Sequence, residues 1–308
     1  MTANTAPPSP PREDITVIVA TFQRPELLRR CLLSLLAQTR PAAEIIVADQ
    51  SHDQQSREVV DALAQQHPGL RYRHGVPPNK SLALNRSLAE ARGAWLAFTD
   101  DDCQVAPDWL ERFARLQARH QDVDVWYGCL LPEPGSAPEN YINLILDRSV
   151  HPVRPLAQPF YTNFSGANCF IRRGLCERAG GFNPDFGPGG TFRNDNDGEM
   201  AYRLARVGAR MLFHGELVVH HAAWRGRADN HVLTWNYAWS LGAFSSYTLR
   251  RGDMRPALHF TRLVGHKARR LLLGLVLFQP VRRRDGWLHL RAYVSGWRAG
   301  WRHPVAAL

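Results

Sequence analysis

The stretch Ile15-Thr16-Val17-Ile18-Val19-Ala20-Thr21-Phe22-Gln23-Arg24-Pro25 decides the fold. Its first six residues form a near-continuous β-branched run, the pattern of a strand buried on both faces of a sheet. Pro25 suits the first turn of a helix. Over Glu26 to Gln38, Leu28, Cys31, Leu32 and Leu35 then recur at helical spacing, with Arg29, Arg30 and Ser34 opposite. A buried strand leading into an amphipathic helix is the opening unit of a parallel α/β sheet.

The same alternation continues outward. Residues 44–48 (EIIVA) read as a second buried strand, 56–66 as a helix, 70–74 as a short strand and 82–92 as another helix. Trp95 to Thr99 is a third buried strand that runs straight into Asp100-Asp101-Asp102, ahead of a helix at 107–119. The predicted fold class is therefore α/β, a doubly wound and mostly parallel sheet with flanking helices, whose ligands sit beyond the carboxyl ends of the strands. Thr21 to Arg24, Asp49 and the aspartate triplet each stand at such an end. Neither G-x-G-x-x-G nor G-x-x-x-x-G-K-[ST] is present, so a diphosphate would need its charge met by something other than a glycine-rich cradle. Three adjacent carboxylates repel one another unless a cation bridges them. Their hard oxygens suit Mg²⁺ or Mn²⁺. The competing reading of the triplet is a solvated acidic turn.

With 44% hydrophobic and 21% charged residues in 308, the chain has the composition of a soluble globular protein with a large core. Disordered, collagen-like and coiled-coil architectures are excluded. Five cysteines, an odd number with no C-x-x-C pair, exclude a disulfide scaffold and point to a reducing, cytoplasmic setting. The net charge of +10 first suggests nucleic acid, but its distribution argues against that partner. From Arg250 to Leu308 there are 13 basic and two acidic side chains, so the preceding residues are close to neutral. An excess confined to one end suits an anionic surface met by that end.

Several motifs, in order, resemble those of the family 2 inverting glycosyltransferases with the nucleotide-sugar-binding GT-A fold, over roughly 15–224. They are Val17-Ile18-Val19-Ala20-Thr21-Phe22-x-Arg24-Pro25; Glu44-Ile45-Ile46-Val47-Ala48-Asp49-Gln50-Ser51; Lys80-x-x-x-Leu84-Asn85; and Phe98-Thr99-Asp100-Asp101-Asp102, similar to the stretch containing the D-x-D motif. Gly166-x-Asn168-x-Phe170-x-Arg172-Arg173 and Gly180-Gly181-Phe182 follow. Asn196-Asp197-Gly198-Glu199-Met200-Ala201-Tyr202-Arg203-Leu204 then resembles E-D-x-D-L-x-x-R-L. The resemblance implies a nucleotide diphosphate sugar donor, a hydroxyl acceptor and a divalent metal, Mn²⁺ or Mg²⁺. It assigns Asp102 and His221 to the metal and Asp197 to the general base. Thr21, Arg24, Asp49, Lys80, Asp100 and Asp101 fall to the nucleotide sugar. In this reading Asp49 accepts from uracil N3 or a ribose hydroxyl, since a carboxylate at the end of a buried strand needs a donor. Asn196 departs from the family's Glu, and Asp195 is a rival base. Counting back to Gly215 favours His221 over the neighbouring His220.

Two other function classes compete: a nucleotidyltransferase, and a non-catalytic carbohydrate- or membrane-binding protein on a degenerate transferase fold. The expected organisation is a disordered leader at 1–14, a transferase domain at 15–224 (15–103 nucleotide-binding, 104–224 acceptor-facing) and a basic helical extension at 225–308. The leader has no signal-peptide character. Residues 271–278 (LLLGLVLF) are far too few to span a bilayer. With Trp287, Trp297 and Trp301 among arginines, the segment 250–308 suits an anionic membrane surface, at the inner face of the membrane. The alternative is a helical hairpin packed on the domain with a basic outer face.

Overall fold

The computed structural model describes residues 14–75, 78–136, 144–158, 165–222 and 227–304. The expected leader, apart from Asp14, and the expected boundary after Trp224 lie outside the described residues.

The chain opens as the sequence predicts. Strands β1 (Ile15–Thr21), β2 (Glu44–Asp49), β3 (Leu70–His74) and β4 (Trp95–Asp100) alternate with helices α1 (Pro25–Leu36), α2 (Gln55–Ala64) and α3 (Lys80–Glu90). All seven residues of β1 are buried, as a strand sandwiched between helix layers requires. Leu28, Cys31, Leu32 and Leu35 form the buried stripe of α1. β1 pairs in parallel with β2 and with β4, and β2 with β3.

The second half adds β5 (Cys103–Val105), α4 (Trp109–Arg119), β6 (Val125–Pro132), β7 (Val150–Val153), β8 (Cys169–Arg172), α5 (Arg173–Arg178), α6 (Asn196–Arg206) and β9 (Met211–His221). The nine strands form one sheet in the order β3-β2-β1-β4-β8-β6-β9-β5, with β7 also on β9. β8 enters antiparallel between β4 and β6. Asn168 ties β6 to β9 near the point where their pairing register shifts. Its amide donates to Cys129 O at 2.7 Å and Leu217 O at 3.0 Å, and it accepts from Trp109 Nε1 at 2.9 Å. All five cysteines are buried and free.

Three long helices follow: α7 (Arg227–Arg250), α8 (Arg255–Val276) and α9 (Pro280–Arg302). They pack on the preceding residues through a second apolar core, in which Phe186, Phe192 and Tyr202 meet Phe244, Tyr247 and Tyr293. Arg250 donates to Trp301 O at 2.5 Å and to His303 O at 2.6 Å, and His303 meets Asp185 at 2.9 Å. The C-terminal helices are thus packed on the α/β body. No helix among the described residues is long and apolar enough to cross a membrane.

Candidate active site

A cleft of about 1240 Å³, counted out to its open mouth, lies beyond the carboxyl ends of β1 and β4. Seven of the nine predicted residues line it: Thr21, Arg24, Lys80, Asp100, Asp102, Asp197 and His221. Asp49 and Asp101 do not, and both are fully buried. A smaller pocket of about 460 Å³ adjoins it, sharing Lys80, Asp100, Asn196 and Asp197 and walled by Phe98, Tyr127 and Phe182.

The aspartate triplet is split by its own backbone. Asp100 ends β4 and pairs with Lys80 Nζ at 2.5 Å. Asp101 turns inward, where Thr21 Oγ1 donates to it at 2.7 Å and Arg24 Nη2 pairs with it at 2.7 Å. Asp102 faces the cleft and accepts from Arg24 Nη1 at 3.0 Å. The cations that the triplet demands are therefore supplied in part by the chain itself, through Arg24 and Lys80. Burial pushes the Asp101 carboxyl up to about 7, against the pull of Arg24. Burial opposes the Lys80 ammonium as well, but Asp100, with Asp197 and Asp102 farther off, holds it above the ordinary lysine range.

A three-residue strand brings the two halves of the site together. β5 pairs with the end of β9 so that Cys103 stands opposite His221 and Gln104 opposite His220. Side chains alternate along a strand, and it is His221 whose Nε2 stands 3.6 Å from Asp102 Oδ1. Ala222 N–H donates to Asp102 O at 2.8 Å and fixes this approach. Ligand atoms of Asp102, Cys103 and His221 all lie within 4.8 Å of one another. Burial raises the pKa of the Cys103 thiol well above the ordinary range, and the donors of the cluster that suit a hard cation are the Asp102 carboxylate and the His221 imidazole. That oxygen-and-nitrogen pair fits Mn²⁺, with room for oxygens from a bound diphosphate.

Asp197 lies in the first turn of α6. Its Oδ2 accepts from Gly166 N–H at 3.0 Å and its Oδ1 from Gly198 N–H at 3.0 Å. Asp195 lines neither pocket. It occupies the N-cap of α6 in left-handed conformation, φ 68°. Burial, then repulsion from Asp197 and Glu199, holds its pKa well above the usual carboxylate range. Asn196 lines both pockets. Behind Asp197, Glu199 and Arg203 form a paired support through two contacts of 2.8 Å.

Asp49 differs from expectation in its partners. Ser51 N–H and the Tyr72 hydroxyl each donate to it at 2.8 Å, so the chain supplies the donors that a ligand was expected to bring. Its neighbour Gln50 lines the cleft instead. The motif residue Asn85 is likewise structural, since it pairs with both backbone groups of Phe182. Gly181 beside it has φ +67°, and a Cβ there would stand 2.6 Å from Asn85 Oδ1, so only glycine fits.

Sequence reasoning missed the wall contributed by α7, where Leu233 and Tyr237 line the cleft. The segment NYAWSLGAF, residues 236–244, contains Tyr237, but its buried apolar residues obscure any functional signal.

Comparison with known proteins agrees with this fold. The model of the family described as "Glycosyl transferase family 2" matches residues 16–178. Glycosyltransferase AglE of Haloferax volcanii is 25% identical over 262 residues, 82% of this chain and 80% of that protein. The uncharacterized glycosyltransferase YibD of Escherichia coli is 32% identical over 111 residues, 36% of this chain and 32% of that one. The O-antigen biosynthesis protein RfbC of Myxococcus xanthus is 28% identical over 268 residues, which are 80% of this chain and 20% of RfbC. These last two matches thus span about a third or less of the relatives' lengths. Among solved structures, the mannosyltransferase PcManGT of Pyrobaculum calidifontis, in complex with GDP-Man and Mn²⁺, superposes with a TM-score of 0.59 at 23% identity, covering 92% of this chain and 73% of that one. TarS 1–349 of S. aureus, in complex with UDP, superposes with a TM-score of 0.55 at 15% identity, covering 93% and 90%.

Proposed function

The chain belongs to glycosyl transferase family 2, and from that premise we propose that it moves a sugar, with inversion, from a nucleotide diphosphate sugar to a hydroxyl acceptor. The observation that carries the proposal is one cleft holding strand-end carboxylates, Asp100 and Asp102, together with the helix-end carboxylate Asp197 and His221.

In this reading Asp197 takes the proton of the acceptor hydroxyl as its oxygen attacks the anomeric carbon. The bond from that carbon to the diphosphate breaks on the opposite face, and its electron pair leaves with the β-phosphate. The Gly166 and Gly198 N–H groups hold the carboxylate in place for this step. Asp102 and His221 would hold Mn²⁺ or Mg²⁺, which when bound neutralises charge developing on the diphosphate. Lys80, Arg24 and Thr21 line the same cleft and serve the donor. Asp101 is a positioning residue that orients Thr21 and Arg24 from below. Asp49 orients the Gln50–Ser51 turn. The basic residues of 250–308 meet an anionic membrane surface, a reading supported by their excess of charge.

A screen of nucleotide sugars, with Mn²⁺ or with chelator, against simple glycoside acceptors tests the reading. Metal-dependent transfer with an inverted anomeric configuration by NMR is expected. Transfer with retention would overturn the role of Asp197, and the absence of both transfer and donor hydrolysis across the screen would favour a binding protein.

A further inference from the structure

The α8–α9 hairpin ends in a tip most of whose large apolar side chains are exposed. Between residues 272 and 281, Leu272, Leu275, Val276, Leu277, Phe278 and Val281 are all exposed, with Val276 at 71%, Val281 at 73% and Phe278 at 91%. Large apolar side chains scattered singly on a surface are ordinary, but six within ten residues form a patch.

The packing of the hairpin explains why they point outward. The inner positions are glycines: a Cβ at Gly274 would meet the Arg283 backbone at 2.5 Å, and one at Gly286 would meet Leu271 at 2.8 Å. The two helices therefore close backbone to backbone, and the larger side chains have no interior to enter. At the turn itself, Phe278 adopts φ +52°, where it donates to Leu275 O at 3.4 Å and Gln279 donates to Gly274 O at 2.9 Å. Glycine would hold this left-handed position without strain. A phenylalanine there combines backbone strain with almost complete exposure, and neither is repaid within the chain.

Charge surrounds the patch. Arg269, Arg283 and Arg284 are exposed just behind it. The one acid from residue 254 onward, Asp285, is met by Arg270 at 2.6 Å and Lys267 at 3.1 Å. Trp287 lies one helical turn farther from the tip and is 57% exposed. An apolar tip followed by an arginine collar matches the order in which an anionic bilayer presents acyl chains and then phosphates.

We propose that the α8–α9 tip inserts into an anionic phospholipid surface, with Phe278 at its deepest point and the arginine collar on the lipid phosphates. The proposal deepens the anionic-surface reading of residues 250–308 and rests on it, but it is independent of sugar transfer.

The test is co-sedimentation of the full chain with vesicles of phosphatidylglycerol and phosphatidylcholine, and with phosphatidylcholine alone. It compares the parent, Phe278→Gly and the double variant Arg283→Glu/Arg284→Glu. Phe278→Gly relieves the strained turn, so its melting temperature should hold or rise while binding to anionic vesicles falls about tenfold or more. The double charge variant should lose binding by a similar factor, and salt should weaken the parent. Phe278→Trp reports depth as the quenching, by lipids brominated on their acyl chains, that it gains over the parent's nine tryptophans. Unchanged binding by Phe278→Gly, or a Phe278→Trp quenched no more than the parent, would overturn insertion and leave a purely electrostatic contact. A parent that ignores anionic vesicles at low salt would overturn both readings. A tip that instead joins two copies in solution, shown by dimers that Phe278→Gly dissolves, would overturn insertion alone.

Discussion

Replacing Asp195 by asparagine should stabilise the protein and leave transfer intact. Asp195 stands at the N-cap of α6 with φ 68° and no side-chain cap hydrogen bond. Its carboxylate lies so close over Gly198 that a Cβ there would approach Asp195 Oδ1 to 2.3 Å. Burial and repulsion from Asp197 and Glu199 raise its pKa in the folded state. A carboxyl raised on folding contributes stability that is fully present below the unfolded value, near pH 4, and is lost as pH rises. The asparagine side chain has the same shape, tolerates the left-handed backbone and carries no charge. Removing an unfavourable charge of this kind is worth about 1–2 kcal/mol, or roughly 1.5–3 °C in melting temperature for a chain of this size. Thermal melts of both proteins at pH 4, 6 and 8 should show a difference that is smallest at pH 4 and grows as pH rises. Transfer rates measured alongside should match. An equal difference at every pH would show that charge is not the cause. A loss of turnover would assign Asp195 to the chemistry.

Asp197→Asn should leave donor affinity within about twofold of the parent while cutting turnover by about 10² to 10⁴, the usual worth of a general base; parallel calorimetry and rate assays check this, and retained turnover would refute it. Asn168→Leu strips partners from three buried groups, Trp109 Nε1, Cys129 O and Leu217 O. At about 1–3 kcal/mol each, the melting temperature should fall by more than about 6 °C, and a fall under about 2 °C would show that these groups find other partners.

The first half of the fold was legible because its physics is local. A strand buried on both faces must be largely apolar, and β1 and β4 are until Thr21 and Thr99-Asp100, so their ends, and the residues standing there, could be read from the sequence. The same periodicity located the buried stripe of α1 residue by residue. What could not be read depends on pairing across long separations. β5 has only three residues, too few for any pattern, yet its register against β9 brings His221 rather than His220 to Asp102. The partners of Asp49 and the triplet were equally hidden, because Tyr72 and Lys80 reach those carboxylates from elements 20 or more residues away. The basic tail was legible in its charge and its helices but not in its contacts with the body. Its buried side, formed with Phe186 and Phe192, follows from packing that no helical period announces.

The central claim is that Asp102 binds the donor's diphosphate through a divalent cation. Titrating UDP and GDP side by side into the parent and into Asp102→Ala, with Mn²⁺ or with chelator, tests it most directly. The parent should bind one of the two tightly with Mn²⁺ and weakly without it, and the variant should bind weakly in both conditions. A variant that keeps the parent's Mn²⁺-dependent affinity, or a parent that binds equally well with chelator, would contradict the account.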